Sequence, residues 1–512
     1  MTILALLPII SLLICLIGFK LSVVKAGSIS LSIAFVVALG FFGLDAFGLV
    51  VAVGKAWSLA LFVSLIVWCA IFLYHLANGF KAIEVINKNI VVYIEDKFVQ
   101  FLFLSWLFTG LLQGMAGFGV PIVIITPILI ALGFDKVKSL TAALLGHSWA
   151  VTFGSMGAAY FIIQMITGIP LEDLGVPVWM FNTIAHILTG IGVCWLYDGI
   201  KGIKKGLPYI LPTSAVMATV QYFTIVFGMY SLATLNTALF GLATMFALYK
   251  LRAKSKPHNG VYAGSLTLWQ SVLPYIVILG LSLGFQFLPD ILKNISLSFR
   301  FPGAETALGH IVQPETGYAK IRLFGHPAVI LLCAAVVAVI TYRRAHIWNT
   351  SIFQTAVKKT VKKCVPATFA LLVMSSMSLI MMDSGMMYRL AKTTADLMGN
   401  LYPIAAPFIG ILASFLTGNN TNANVMFGGF QYTIAQELNV SGAVMSAAQS
   451  ISGAVGVAIG PTLVLMGAIA AKLTGKESLI LKKLIFIVLI IALIMGIMNY
   501  ILLSVLQYGV TT

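Results

Sequence analysis

The sequence predicts an all-α polytopic membrane protein with about 12 transmembrane helices plus two re-entrant hairpins, related as an inverted repeat. Three observations lead there. Hydrophobic residues make up 60% of the 512 positions, charged ones only 9%, and the mean hydropathy is +1.03, which no soluble domain of this length matches. Two apolar stretches break in the middle, and they break alike: Gly110-Leu-Leu-Gln-Gly-Met-Ala-Gly-Phe-Gly-Val-Pro121 and Phe415-Leu-Thr-Gly-Asn-Asn-Thr-Asn-Ala-Asn424. The basic residues gather in alternate loops, as topology determinants do.

A span needs about 20 apolar residues. Spans are expected near 2–19, 27–43, 57–78, 140–168, 176–197, 207–228, 230–249, 267–288, 324–342, 364–383, 441–471 and 484–507. The stretch Thr2 to Phe19 lacks a basic n-region and a small-residue cleavage site, so it reads as a retained helix and not a signal peptide. Stretches 99–133 and 403–437 are too long for one helix, too short for two full spans, and broken. Each reads as a hairpin that enters and leaves on one side. Broken backbone at bilayer depth is tolerated only where it is buried in protein or lines a cavity. Paired breaks in two halves point to a transporter's binding site.

Charge supports this layout. With the N-terminus outside, inner loops hold 24 of the 31 Lys and Arg, including Lys88, Lys254, Lys256 and the run Lys358, Lys359, Lys362 and Lys363. The outside keeps Lys55, Lys293, Arg300, Lys320, Arg322, Arg389 and Lys392, while Asp and Glu divide six inside and nine outside. The first hairpin then opens from the cytoplasm and the second from outside. Sliding 111–157 by 304 positions onto 415–461 gives eight identities in 47 pairs, Gly114/Gly418 and Ser148/Ser452 among them. The shared grammar says more: break, apolar return arm, short polar turn (Asp135 to Lys138; Asn439 to Gly442), then a helix rich in small residues. Those helices are themselves expected to break, at Gly154–Gly157 and Gly453–Pro461.

A broken helix offers free N–H groups with a positive dipole at one new end and free carbonyls at the other. The first suits a carboxylate and the second a cation. Gln113 and the Gly114, Gly117 and Gly119 backbone in the first break, with Asn419, Asn420, Thr421, Asn422 and Asn424 in the second and Ser148 beside them, form the candidate substrate set. The competing reading is that these amides only satisfy freed backbone groups. His147, at apolar depth, is the candidate for proton or ion coupling together with Gln113, although a lone buried His is more often a packing residue. Asp383 and Arg389 read as an interfacial pair or two solvated charges. Glu305, His310 and Glu315 belong to a structured outer loop over 290–322. Cys15, Cys69, Cys194, Cys333 and Cys364 show no metal or disulfide spacing. The Gly-rich run of the first break follows no strand, and no nucleotide, zinc or nucleophile motif is present, which argues against an ATP-driven pump or an enzyme. The net charge of +16 is dispersed among the loops, so nucleic acid is not an expected partner.

Gln113 through Pro121, Ala131 to Phe134, Phe153 to Gly157, Phe415 to Asn424 and Gly475-Lys-Glu477 together resemble the lactate permease family, in order and spacing, over most of the chain. The resemblance implies a symporter of the bacterial cytoplasmic membrane that takes up lactate, and often glycolate, with protons. It also implies an elevator-type architecture, in which two hairpins carry substrate in a moving domain against a static scaffold. The family pattern has Glu where Gln113 stands, Asn-Thr at His147-Ser148, Lys near Val457 and Pro-Gln at Pro461-Thr462. These departures single out His147 as a replacement titrating group, and they keep open a sodium-coupled or substrate-altered permease. A passive anion channel is the alternative of another class. The expected organisation is scaffold over 1–98 and 169–402, transport elements over 99–168 and 403–471, and a C-terminal helix over 472–512. No cofactor or metal is expected beyond a co-transported proton or sodium. A homodimer is expected by analogy only.

Overall fold

Nearly every apolar run becomes a helix in the computed structural model, which describes residues 1–86, 94–252 and 266–509. Lys88, Lys254 and Lys256 of the inner-loop set, and the side chain of Lys293, lie outside the described residues. The helices are α1 (Thr2–Gly18), α2 (Val23–Phe41), α3 (Ala46–Gly79), α4 (Lys97–Met115), α5 (Val120–Ala131), α6 (Lys136–Gly146), α7 (Gly154–Thr167), α8 (Leu171–Val226) and α9 (Ala233–Arg252). After these come α10 (Leu268–Gly284), α11 (Pro327–Arg344), α12 (Thr350–Asp383), α13 (Met386–Met398), α14 (Tyr402–Thr417), α15 (Asn420–Glu437), α16 (Gly442–Gly456), α17 (Pro461–Ala471) and α18 (Glu477–Tyr500). Among the described residues, ten helical stretches are long and apolar enough to cross a membrane, or eleven if the bent pair 136–150 and 154–167 counts as one span.

The helices begin and end for local reasons. Asp45 accepts from the Gly48 amide at 2.6 Å to start α3, and Asp96 accepts from Val99 at 3.0 Å to start α4, each satisfying an orphan donor of the first turn. The long α8 is two helices, because Asp198 (φ −152°) and Gly199 (φ +55°) leave helical geometry between the two predicted spans.

The structure departs from the expectations in four places. The fold is not purely α. The 290–322 region forms two small antiparallel ribbons, β1 (Ser296–Phe301) with β4 (Glu315–Arg322), and β2 (Ala304–Glu305) with β3 (Ile311–Val312). They cap the first half of α3, where the Phe301 ring sits against Gly54 and Ala307 against Gly43. Next, α3 and α12 start well before the predicted 57 and 364, carrying Lys55 and Lys363 into helix. The third departure is α13, an amphipathic helix in a stretch with no predicted element; it lays its apolar face on α15 and α1. Finally, Asp383 pairs with Lys55 and not with Arg389.

The two halves share one order of elements. In the first, α4 and α5 form a hairpin and α6 and α7 flank a break. In the second, α14 and α15 form the hairpin and α16 and α17 flank the break. The polar turns between are N-caps in both: Asp135 accepts from Lys138 N at 2.9 Å, Ser441 from Val444 N at 3.4 Å. The α4 arm is buried almost all round, as a helix leading to broken backbone must be. Trp106 and Trp149, both fully buried, hold it, with Trp149 Nε1 donating to the Trp106 carbonyl at 3.1 Å and the Trp149 ring lying on Gly110. An indole of this kind removes about 150–250 Å² from solvent.

Candidate substrate site at the two hairpin tips

The first tip turns through three successive left-handed residues, Gly117 (φ +56°), Phe118 (φ +48°) and Gly119 (φ +79°). The broken helix facing it does the same at Ser155 (φ +48°), Met156 (φ +57°) and Gly157 (φ +85°). A non-glycine residue in that region costs about 1–2 kcal/mol, so Phe118, Ser155 and Met156 are strained by design of the surrounding packing. The two breaks interlock. A Cβ on Gly117 would collide with Ser155 Oγ, and one on Gly154 would lie 2.7 Å from Gln113 Nε2. The Gln113 carboxamide therefore fills the space between the tip and the broken helix, and its Oε1 is buried without a partner.

The second tip ends α14 at Gly418 (φ +74°), with Gly418 N donating to Ser414 O at 2.8 Å. It restarts as α15, with Asn419 as N-cap accepting from Asn422 N at 2.8 Å. Opposite, α16 ends at Gly456, a 3-10 turn covers Val457–Ile459, and α17 begins at Pro461. The expected break at Gly453–Pro461 is thus realised at its C-terminal half.

Between these parts lies a cavity of about 360 Å³, within the range of small-molecule sites. Its lining includes Gln113, Gly119, His147, Gly154, Ser155, Asn419, Asn420, Thr421, Asn422, Val457, Thr462 and Lys363. Five helix starts reach it, those of α2, α5, α7, α15 and α17. Among the described residues no Asp or Glu lines it.

Not every predicted residue joins. Gly114, Gly117, Asn424 and Ser148 are absent from the lining. Gly114 backs onto Thr234 and Leu235 of α9. Ser148 is fully buried and donates to Leu145 O at 2.7 Å. Asn424 is a tie: Nδ2 donates to Ala159 O at 3.1 Å and to Ser450 Oγ at 2.9 Å. Asn420 does both jobs. It lines the cavity, and its Nδ2 donates to Thr152 Oγ1 at 3.2 Å and Ser450 O at 3.0 Å, while Oδ1 stays buried and unpaired. Thr152 completes the link by donating to Ser450 O at 3.0 Å. The second tip is thereby fastened to both broken helices. His147 Nδ1 donates to Leu144 O at 2.7 Å, which leaves Nε2 as the ring's acceptor.

A family model described as L-lactate permease matches residues 1–279 and 287–506. The chain belongs to the L-lactate permease family. It is 25% identical to the glycolate permease GlcA of Escherichia coli K12, over 97% of this chain and 94% of that one. It is 26% identical to the L-lactate permease of the same strain (93% and 91%) and 28% identical to that of Streptococcus iniae (73% and 78%). A crystal structure of the Alcanivorax borkumensis YdaH transporter aligns over 94% of the chain at 14% identity with a TM-score of 0.40. This lactate permease family member is accordingly a multi-pass protein of the bacterial inner membrane and not an enzyme.

Two residues of this permease-family site were not legible beforehand. Lys363 read as one more loop lysine, and Thr152, which ties Asn420 to Ser450 behind the cavity wall, carried no reading of its own. The available signal for Lys363 was Pro366, Ala367 and Ala370, which place it on a stripe of the helix at spacings of three, four and seven.

Proposed function

We propose that the protein is a secondary active symporter importing a small monocarboxylate, L-lactate first and D-lactate or glycolate next, together with protons. The observation that carries this is the cavity at the hairpin tips: five helix N-termini reach it, neutral amides stand among them, and among the described residues no acid lines it. Such a site favours one small anion. The family's monocarboxylate permeases support the substrate class.

Residues 99–168 and 403–471 would form the transport domain. It would move in elevator fashion against scaffold segments 1–98 and 169–402. The matching element order of the two halves supports an inverted repeat. Substrate would be bound by Gln113, the Gly119 backbone, Asn419, Asn420, Thr421 and Asn422. His147, with Nε2 free to accept, would carry the proton in place of an acid at Gln113. A second reading, sodium coupling, is favoured by one observation: Gln113 Oε1, Ser414 Oγ, Asn420 Oδ1 and Asn424 Oδ1 are buried oxygens without partners, and neutral oxygens of this kind suit a hard cation.

The test is labelled L-lactate uptake into proteoliposomes under an imposed proton gradient, a sodium gradient, or neither. Uphill uptake with protons, abolished in His147→Gln, supports the reading. Sodium-driven uptake transfers the coupling role to the unpaired oxygens. Only downhill flux would make the protein a facilitator. Normal uptake in both Asn420→Ala and Thr421→Ala would sink the site assignment.

A further inference from the structure

We infer that Lys363 is the cation that receives the substrate carboxylate, at the mouth of the cavity on the lysine-rich face. The inference rests on the transporter reading above. Lys363, Pro366, Ala367 and Ala370 of α12 form one stripe of the cavity wall, and Gln113, Gly119 and Asn419–Asn422 of the hairpin tips line the same cavity. Lys363 stands 20 residues before Asp383, about 30 Å along the helix, so it serves the end of α12 remote from the β ribbons. Ser22, Val23 and Val24 at the start of α2 line the same mouth.

Among the described residues the ammonium has no counter-charge: no carboxylate makes an ion pair with Lys363, and segments 87–93, 253–265 and 510–512 contain no Asp or Glu. Its titratable neighbours are His75 of α3, Lys359 and Cys364; none brings a negative charge in its ordinary neutral-pH form. His75 Nε2 is itself buried without a partner. A partly buried cation with no anion beside it is costly to hold, and a carboxylate in the cavity removes that cost. One carboxylate oxygen can take the N–H groups that open α15 while the other takes Lys363. A lysine suits this role because its ammonium is a point charge with three donors on a flexible stem, tolerant of how a small acid is turned.

This gives the site a sidedness. Lys363 rides on α12, which packs along α2 and α3, whereas the amides ride on the tips. In elevator motion the pair of contacts exists only while the tips are level with Lys363. The charge then sets affinity on the cytoplasmic face and not on the outer one.

The test uses the full-length protein in proteoliposomes of determined orientation. L-lactate exchange is measured from each face for wild type, Lys363→Gln and Lys363→Arg, with neutral lactamide as competitor. The expected result for Lys363→Gln is an apparent KM raised about tenfold or more from the cytoplasmic face, the scale of one lost charge-assisted hydrogen bond. From the outer face it should change by less than about twofold. Lactamide should compete better against lactate in this variant, and Lys363→Arg should recover most of the affinity. A cytoplasmic-face KM for Lys363→Gln that stays within about twofold of wild type, in a protein that elutes as wild type on size exclusion, overturns the assignment. So does a rise of equal size on both faces that Lys363→Arg does not reverse, which marks a structural lysine. A wild type that moves no monocarboxylate overturns the function reading, and this inference falls with it.

Discussion

Lys55 of α3 and Asp383 of α12 meet as an ion pair, Nζ to Oδ2 3.4 Å, inside the end of the bundle covered by the β ribbons, with Lys55 only 2% exposed. Glu315 of β4 reaches the same ammonium at 3.1 Å but is 40% exposed. The pair joins the two long helices that pack against each other along their lengths, and the ribbon closes over it. Removing one partner of a buried pair leaves the other charge stranded, a loss of about 3–5 kcal/mol, whereas replacing both by apolar side chains is often near neutral. Lys55→Met or Asp383→Leu alone should therefore lower the denaturation midpoint in detergent strongly. The double variant should recover much of it. Glu315→Gln should do little, since an exposed partner is screened. Equal losses in single and double variants would contradict this account.

His310, in the loop between β2 and β3, adds a pH dependence. Its Nε2 bonds the Met382 carbonyl at 3.1 Å beside Gly385. Burial holds its pKa below the ordinary 6.5, partly opposed by that hydrogen bond. The neutral ring is the folded form, so the contribution to stability is present above about 6.5 and is lost as the pH falls below it. The thermal midpoint should drop between pH 7.5 and 5.5, and His310→Gln should flatten that slope.

The breaks admit no side chain where they cross. Gly117→Ala meets Ser155 Oγ and also needs a left-handed backbone. Gly453→Ala meets Asn420 Oδ1. Both should abolish uptake, with Gly117→Ala costing at least the 1–2 kcal/mol of the conformation alone. Gly133→Ala, at φ +90° with open space around it, should cost stability and leave the substrate KM unchanged.

The amides of the second tip should separate by phenotype. Asn424→Ala removes two buried hydrogen bonds to Ala159 and Ser450 and should lower stability by about 1–3 kcal/mol. Its KM should stay near wild type in whatever protein survives. Thr421→Ala and Asn422→Ala touch the cavity and should raise KM with the denaturation midpoint retained. Uptake kinetics set beside denaturation curves distinguish the two outcomes.

The elements visible in the sequence were those with local causes. Gly117–Gly119 and Gly418-Asn419 break their helices through left-handed turns and an N-cap, and Gly456–Gly460 does so ahead of Pro461, all of them properties of a few neighbouring residues. Asp135 and Ser441 cap the return helices for the same reason. The helix breaks at both tips and in the helices that follow them could thus be read directly from residue order, along with the family. What packing alone decided concerns residues of one type in different surroundings. Lys55 and Lys363 look like loop lysines in the linear chain, yet one is buried in an ion pair and the other lines a cavity with no acidic side chain among the described residues. Asn419, Asn422 and Asn424 stand within six positions, yet the first two line the cavity and the third is spent on Ala159 and Ser450. A helix turns about 100° per residue, so neighbours in sequence face different partners. Which partner each one finds depends on helices hundreds of positions away, and that long-range choice is written only in the folded structure.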